Sequence, residues 1–207
     1  MIYLEYSFNE NDNRNSSRQI LENIVFGMAE NHYKKNDLII DRSDNGKPYF
    51  KNCDNLYFNG THSSDLFAVI MSDENNVGID AEKIRKRDYL SIAREYFYEN
   101  ECKYLESSLK LEIDFFTIWT LKESYIKMLG KTIFDIKNSI EIDLTERIIK
   151  KADNLFFSSF ILDDSYIVSL CYDMKDKKED DIILKLMDFN LNLLFSYPYL
   201  PNIDIDI

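Results

Sequence analysis

The sequence predicts an α+β fold, built from short strands and helices with mainly antiparallel pairing, and three observations carry that reading. IYLEYS (Ile2–Ser7) alternates apolar and polar residues as a half-buried strand does. Two stretches instead show the helical period: Ile20, Leu21, Ile24, Val25 and Met28 in one, and a longer run from about Glu112 to Leu129 in the other. After the second helix come IFDIKNSIEIDL, NLFFSSFIL, SYIVSLCYD and DIILKLMDF, separated by charged turns and expected to form one antiparallel sheet.

Taken in order, the first strand leads through the polar turn NDNRNSS to a helix over Arg18–His32, capped by Ser16 or Ser17. DLIIDRSDNGKPYF reads as a strand, a turn at Asp44-Asn45-Gly46 and an extended segment fixed by Pro48. NLYFNGTH and LFAVIMS pair around THSSD, leaving Thr61, His62 and Ser63 at a strand end. VGIDAEKI is a strand in which Asp80 and Glu82 alternate with Ile79 and Ala81, so both carboxylates share one face. RKRDY (Arg85–Tyr89) precedes an amphipathic helix through Ile92 and Tyr96, and YENECKYLESS forms a second short helix. The long helix stops at Gly130. ERIIKKADN is a turn or strand edge, DMKDKKEDD a solvated loop, and the tail from Asn190, with Pro198 and Pro201, carries no clear pattern. No internal repeat stands out.

The 207 residues suffice for one domain or two small ones, and 45% hydrophobic content marks a globular chain. A net charge of −12 argues against general nucleic-acid binding. No run of apolar residues is long enough to span a bilayer, and the N-terminus lacks the basic-then-apolar order of a signal peptide. Cys53, Cys102 and Cys171 are widely spaced without metal-ligand spacing, as expected of reduced thiols in the cytoplasm.

Within the long helix, Thr120, Glu123, Lys127 and Gly130 share one face, while Phe115, Trp119, Ile126 and Leu129 make a candidate core stripe. Glu123 and Lys127, at i and i+4, read on their own as a solvated surface pair or as half of a site. Three carboxylates from two elements (Asp80, Glu82, Glu123) with one lysine have the donor types to hold a hard divalent cation beside a phosphate.

The words GKPYF, FNGTHSS, VGIDAEKI and WTLKESYIKMLG, in this order, resemble the 4'-phosphopantetheinyl transferases, and most closely the Sfp-type class that serves peptide and polyketide synthases. The matching residues are Gly78, Asp80, Glu82, Trp119, Thr120, Lys122, Glu123, Ser124 and Lys127, and the likeness covers residues 16 to about 135. Thr61 stands where the family has serine. The resemblance implies two similar α/β halves with the active site in the cleft between them, here 1–75 on the coenzyme A side and 76–207 carrying the metal and catalytic residues. It implies transfer of 4'-phosphopantetheine from coenzyme A to a carrier-protein serine, releasing 3',5'-ADP. Asp80, Glu82 and Glu123 would bind Mg²⁺, or Mn²⁺ in its place. Glu123 would serve as base directly or through water, and Lys127 would stabilise the leaving phosphate.

By the same resemblance Lys47 and Pro48 lie near the adenine, and Arg18, Lys47, Thr61 and His62 meet the 3'-phosphate. Family members carry basic residues ahead of the first helix, where this chain offers Arg14. Lys122 is assigned support rather than chemistry. Arg85, Lys86 and Arg87, with Tyr89 and Leu90 beyond, form either a solvated run or a dock for an acidic carrier helix. The two-halved chain is expected to work as a monomer in the cytoplasm, without membrane or nucleic-acid partners. Two other readings are a Mg²⁺-dependent nucleotide phosphohydrolase and a non-catalytic carrier-binding relative.

Overall fold

A computed structural model describes residues 2–9, 16–174, 184–186 and 191–197. Arg14, most of the DMKDKKEDD segment and both tail prolines lie outside the described residues.

Two four-stranded sheets organise the chain. The first has the order β11-β1-β5-β4, from Ile2–Phe8 (β1), Tyr57–Ser63 (β4), Leu66–Ser72 (β5) and Leu184–Leu186 (β11). The second has the order β12-β9-β10-β6, from Val77–Lys83 (β6), Leu155–Leu162 (β9), Tyr166–Asp173 (β10) and Leu191–Tyr197 (β12). All pairings are antiparallel except that of β1 with β11. Two small hairpins complete the strands: β2 (Ile40–Arg42) with β3 (Pro48–Phe50), and β7 (Glu141–Asp143) with β8 (Ile148–Lys150).

Alternation along the strands explains the layers. Ile2, Leu4, Ala68 and Ile70 of the first sheet pack against Val77, Ile79, Ala81, Phe156 and Val168 of the second in one shared core. The opposite face of the first sheet is covered by α1 (Ser17–Tyr33) through Val25, Met28 and Ala29 against Phe58, Val69 and Met71. The outer face of the second receives α2 (Tyr89–Tyr96), α3 (Glu99–Ser107) and α4 (Leu111–Leu129). Ser16 caps α1, its hydroxyl accepting from the Gln19 N–H at 3.3 Å.

Two expectations need correction. IFDIKN is not a strand: Ile133–Asn138 forms a 3-10 helix whose start is closed by Asp135, which accepts from the Thr132 N–H at 3.0 Å. ERIIKKADN, read as a turn or strand edge, does supply a strand, β8, the partner of β7. Of DIILKLMDF, the described residues Leu184–Leu186 run parallel to β1 in the first sheet rather than in the C-terminal one. The chain passes from one sheet to the other between β5 and β6, at the polar stretch Ser72–Asn76, and among the described residues β11 returns to the first sheet before β12 rejoins the second.

Candidate active site at the seam of the two sheets

β4 and β6 are edge strands of different sheets, and they meet side by side. An edge strand leaves alternate N–H groups unpaired, and burial makes those costly unless something accepts them. Asn59 and Ser63 of β4 do so: Asn59 Oδ1 accepts from Ile79 N at 3.1 Å and Ser63 Oγ from Lys83 N at 3.0 Å. Thr61 lies between them on the same face, its hydroxyl donating to Asp80 Oδ1 at 3.2 Å. Ser63 also donates to Glu82 Oε2 at 3.3 Å. The seam is thus a ladder of side chains at every second residue of β4.

The face of β6 that carries Gly78, Asp80 and Glu82 meets α4, and Gly78 sets how closely. A Cβ on Gly78 would lie 2.1 Å from the Ser124 carbonyl oxygen and 2.6 Å from Met128 N, both backbone atoms that cannot swing aside. Thr120 and Ser124, small and fully buried, line the same contact; Thr120 Oγ1 stands 2.6 Å from Ser169 Oγ on β10. This close approach brings Lys127 Nζ to 2.6 Å from Asp80 Oδ1 and 3.2 Å from Thr61 Oγ1. Leu129, expected in the core stripe, is 40% exposed, because the sheet and the smaller helices take up the other sides of α4.

Electrostatics mark the cluster as incomplete. Asp80 is buried, and its Oδ2 has no hydrogen-bond partner. Burial, followed by the charge of Asp80, raises the pKa of Glu82, against the pull of Arg85 and Arg87. Glu123 is pushed up to about 7 by burial and then by Asp80, with Glu82 adding and Lys127 opposing. The three carboxylates therefore feel one another, yet among the described residues no three acidic, histidine or cysteine side chains converge as a finished metal cage.

The predicted nucleotide-side residues divide between faces. Thr61 points into the seam, whereas its neighbour His62 is exposed and stacks on Phe67, with ring centroids 5.7 Å apart. Strand alternation separates the two residues that were expected to share one phosphate. Arg18 is exposed and paired with Glu22 at 2.7 Å. Lys47 and Pro48 line a cavity of about 340 Å³ with Tyr49, Leu56, Tyr57 and Asn76. Burial lowers Lys47 to about 8, and its ammonium already donates to Asn76 and to Met128 of α4. Of the expected dock, Arg85, Lys86 and Arg87 are exposed and Leu90 is half-buried. Tyr89, by contrast, is a core residue whose hydroxyl donates to the Arg85 carbonyl. A larger cleft of about 500 Å³, lined by Tyr104, Leu109 and Arg147, lies at the other end of α4; its acid, Asp114, is already engaged by Tyr104 and Ser108.

Lys122 sits elsewhere, as its assignment to support requires. It pairs with Glu101 at 3.0 Å with both side chains 0% exposed, and donates to the Ile140 carbonyl. Glu101 also accepts from Ile142 N and Tyr98 N. Sequence reading missed Glu101, which sits in a polar helix like any surface acid. It also missed the ladder of Asn59 and Ser63, although their period of two with Thr61 was visible.

Comparison with known proteins follows the same residues. A profile described as the 4'-phosphopantetheinyl transferase superfamily matches residues 76–171. The chain is 37% identical over 109 residues to the 4'-phosphopantetheinyl transferase gsp of Aneurinibacillus migulanus, covering 52% of this chain and 44% of that one. It is 32% identical over 142 residues to psf-1 of Bacillus pumilus, covering 65% and 60%. With ffp of Bacillus subtilis it shares 29% over 167 residues, covering 76% and 74%. The match thus spans about half the length of the first two of these relatives. Gly78, Asp80, Glu82, Glu123 and Lys127 all lie inside the stretch that is similar to the 4'-phosphopantetheinyl transferase superfamily profile.

Proposed function

We propose that this protein transfers the 4'-phosphopantetheine group of coenzyme A to a serine hydroxyl of an acyl or peptidyl carrier protein, with 3',5'-ADP as the leaving group. The observation that carries this reading is Asp80. One oxygen is held by Lys127 and Thr61 and the other is buried without a partner, beside two more acids. A buried carboxylate oxygen left unpaired is costly, and a cation ligand role accounts for it.

The donor set fits a hard divalent ion: Asp80, Glu82 and Glu123 would hold Mg²⁺, or Mn²⁺, through oxygen alone. Such an ion, when bound, offsets charge on a pyrophosphate and aligns the displacement. Lys127 offsets charge on the departing α-phosphate. Glu123 takes the serine proton, directly or through a water; since cation binding weakens a carboxylate as a base, the water route carries equal weight. The serine oxygen bonds to the β-phosphorus as the bond from that phosphorus to the bridging oxygen breaks.

The cavity beside Lys47 and Pro48 suits the adenine, while Arg18 and His62, both exposed, are available to the 3'-phosphate. Arg85, Lys86 and Arg87 offer an acidic carrier a basic edge next to Glu82. Reversing the charge of Lys86 and Arg87 should raise KM for the carrier and spare KM for coenzyme A; an unchanged carrier KM removes this dock. One chain supplies both sides of the seam, which suits a monomer. Three free cysteines suit a reducing compartment such as the cytoplasm, and among the described residues no helix is long and apolar enough to cross a membrane.

Intact-mass measurement of apo carrier proteins incubated with the protein, coenzyme A and Mg²⁺ tests the proposal. A phosphopantetheine mass gain on the carrier is expected. Release of 3',5'-ADP without any carrier would instead favour a phosphohydrolase.

A further inference from the structure

We infer that Lys47 is a positioning residue: reaching from the β2–β3 hairpin, its ammonium caps the last turn of α4 and fixes Lys127 beside Asp80. A helix leaves its final carbonyls without intrahelical partners. In α4 the left-handed Gly130 turn satisfies two of them, with Lys131 N donating to Ile126 O at 2.8 Å and Gly130 N to Lys127 O at 3.1 Å. The next carbonyl, Met128 O, accepts from Lys47 Nζ at 2.5 Å and Asn76 Nδ2 at 2.7 Å. Lys47 Nζ closes the triangle by donating to Asn76 Oδ1 at 2.5 Å. A positive charge at this end of a helix also opposes its dipole.

The hairpin is built to deliver that ammonium. Gly46 adopts φ +83°, and the turn is closed by Gly46 N to Ser43 O at 2.8 Å and Lys47 N to Ser43 Oγ at 3.1 Å. The Lys47 stem then lies against Gly130, where an added Cβ would sit 3.4 Å from its Cδ. Two of the three ammonium donors are consumed within the protein, leaving at most one for any ligand. Met128 directly follows Lys127, so displacement of this turn displaces the Lys127 side chain from Asp80.

The kinetic part of the test rests on the transferase reading; the exchange part does not. Lys47→Met keeps the stem and removes the charge. Relative to wild type, kcat should fall roughly ten- to a hundredfold, as small misplacements of a reacting group do, with KM for coenzyme A little changed. The same loss should appear with 3'-dephospho-coenzyme A, and Lys47→Arg should restore part of it. Amide hydrogen exchange at Lys127–Lys131 should quicken in Lys47→Met and likewise in Asn76→Ala, which serves if the first variant folds poorly. A loss confined to KM for coenzyme A and absent with 3'-dephospho-coenzyme A would make Lys47 a phosphate ligand and overturn the inference. Unchanged exchange at Lys127–Lys131 overturns it too, even if wild type transfers nothing and the transferase reading itself has failed.

Discussion

α4 carries two lysines five residues apart, each against a buried acid, and the two pairs are opposites. Around Lys122 and Glu101 everything is closed: neither side chain is exposed, and Ile140 O, Ile142 N and Tyr98 N take up further bonding capacity. Burial pulls Glu101 up and Lys122 down, and each opposes the shift of the other. Around Lys127 and Asp80 one carboxylate oxygen is left bare and two more acids crowd in. A satisfied buried pair holds a structure together; an unsatisfied one, in a seam between two sheets, is what the proposed cation site would explain.

The largest expected effect falls on the closed pair. Lys122→Ala strands the Glu101 carboxylate in the core and should cost about 3–5 kcal/mol of stability, read from denaturant unfolding. The double change Lys122→Met with Glu101→Leu should recover much of that loss, and a double variant as unstable as the single one would break the assignment. At the open pair the roles reverse. Asp80→Asn should lower transfer to a carrier roughly a hundred- to a thousandfold, the scale of losing one electrostatic stabiliser, while leaving the thermal midpoint nearly unchanged. A collapse in stability there would mean that Asp80 is structural after all.

Gly78→Ala lies between these extremes. Its methyl group would meet backbone at 2.1 Å, so α4 must move off β6, at a cost of about 1–3 kcal/mol or more. Activity should fall with stability, and a variant with both intact would refute the close-packing role. The smallest effect is a pH dependence. Glu123 has a folded-state pKa of about 7 against an ordinary 4.5, so the cation-free folded protein holds the extra proton between those values. Its stability from this group is therefore greatest below about pH 4.5 and is lost as pH rises through 7. A divalent cation competes with that proton, so stabilisation by Mg²⁺ should be larger at pH 8 than at pH 5.5. Equal shifts at both pH values would exclude Glu123 as a ligand.

Much of this was legible in the chain. Asp80 and Glu82 alternating with Ile79 and Ala81 placed both acids on one strand face, and the spacing of Glu123 and Lys127 placed their partners on one helix face. Local periodicity records such facts directly. It does not record which distant strand supplies Thr61 and Ser63, nor that Glu101 enters the core, because tertiary partners decide those. Nor did alternation in IFDIKN predict a 3-10 helix, where Thr132 and Asp135 set the local hydrogen bonding. Leu184–Leu186 looked like any other C-terminal strand, and pairing with β1 is a property of topology rather than of those residues.

Titration with Mn²⁺ followed by electron paramagnetic resonance, with coenzyme A present, reads the open pair directly. Wild type should bind one ion per chain, and Asp80→Asn and Glu123→Gln should bind far more weakly. Binding of no ion by wild type, or equal binding by the variants, would contradict a cation site built from Asp80, Glu82 and Glu123.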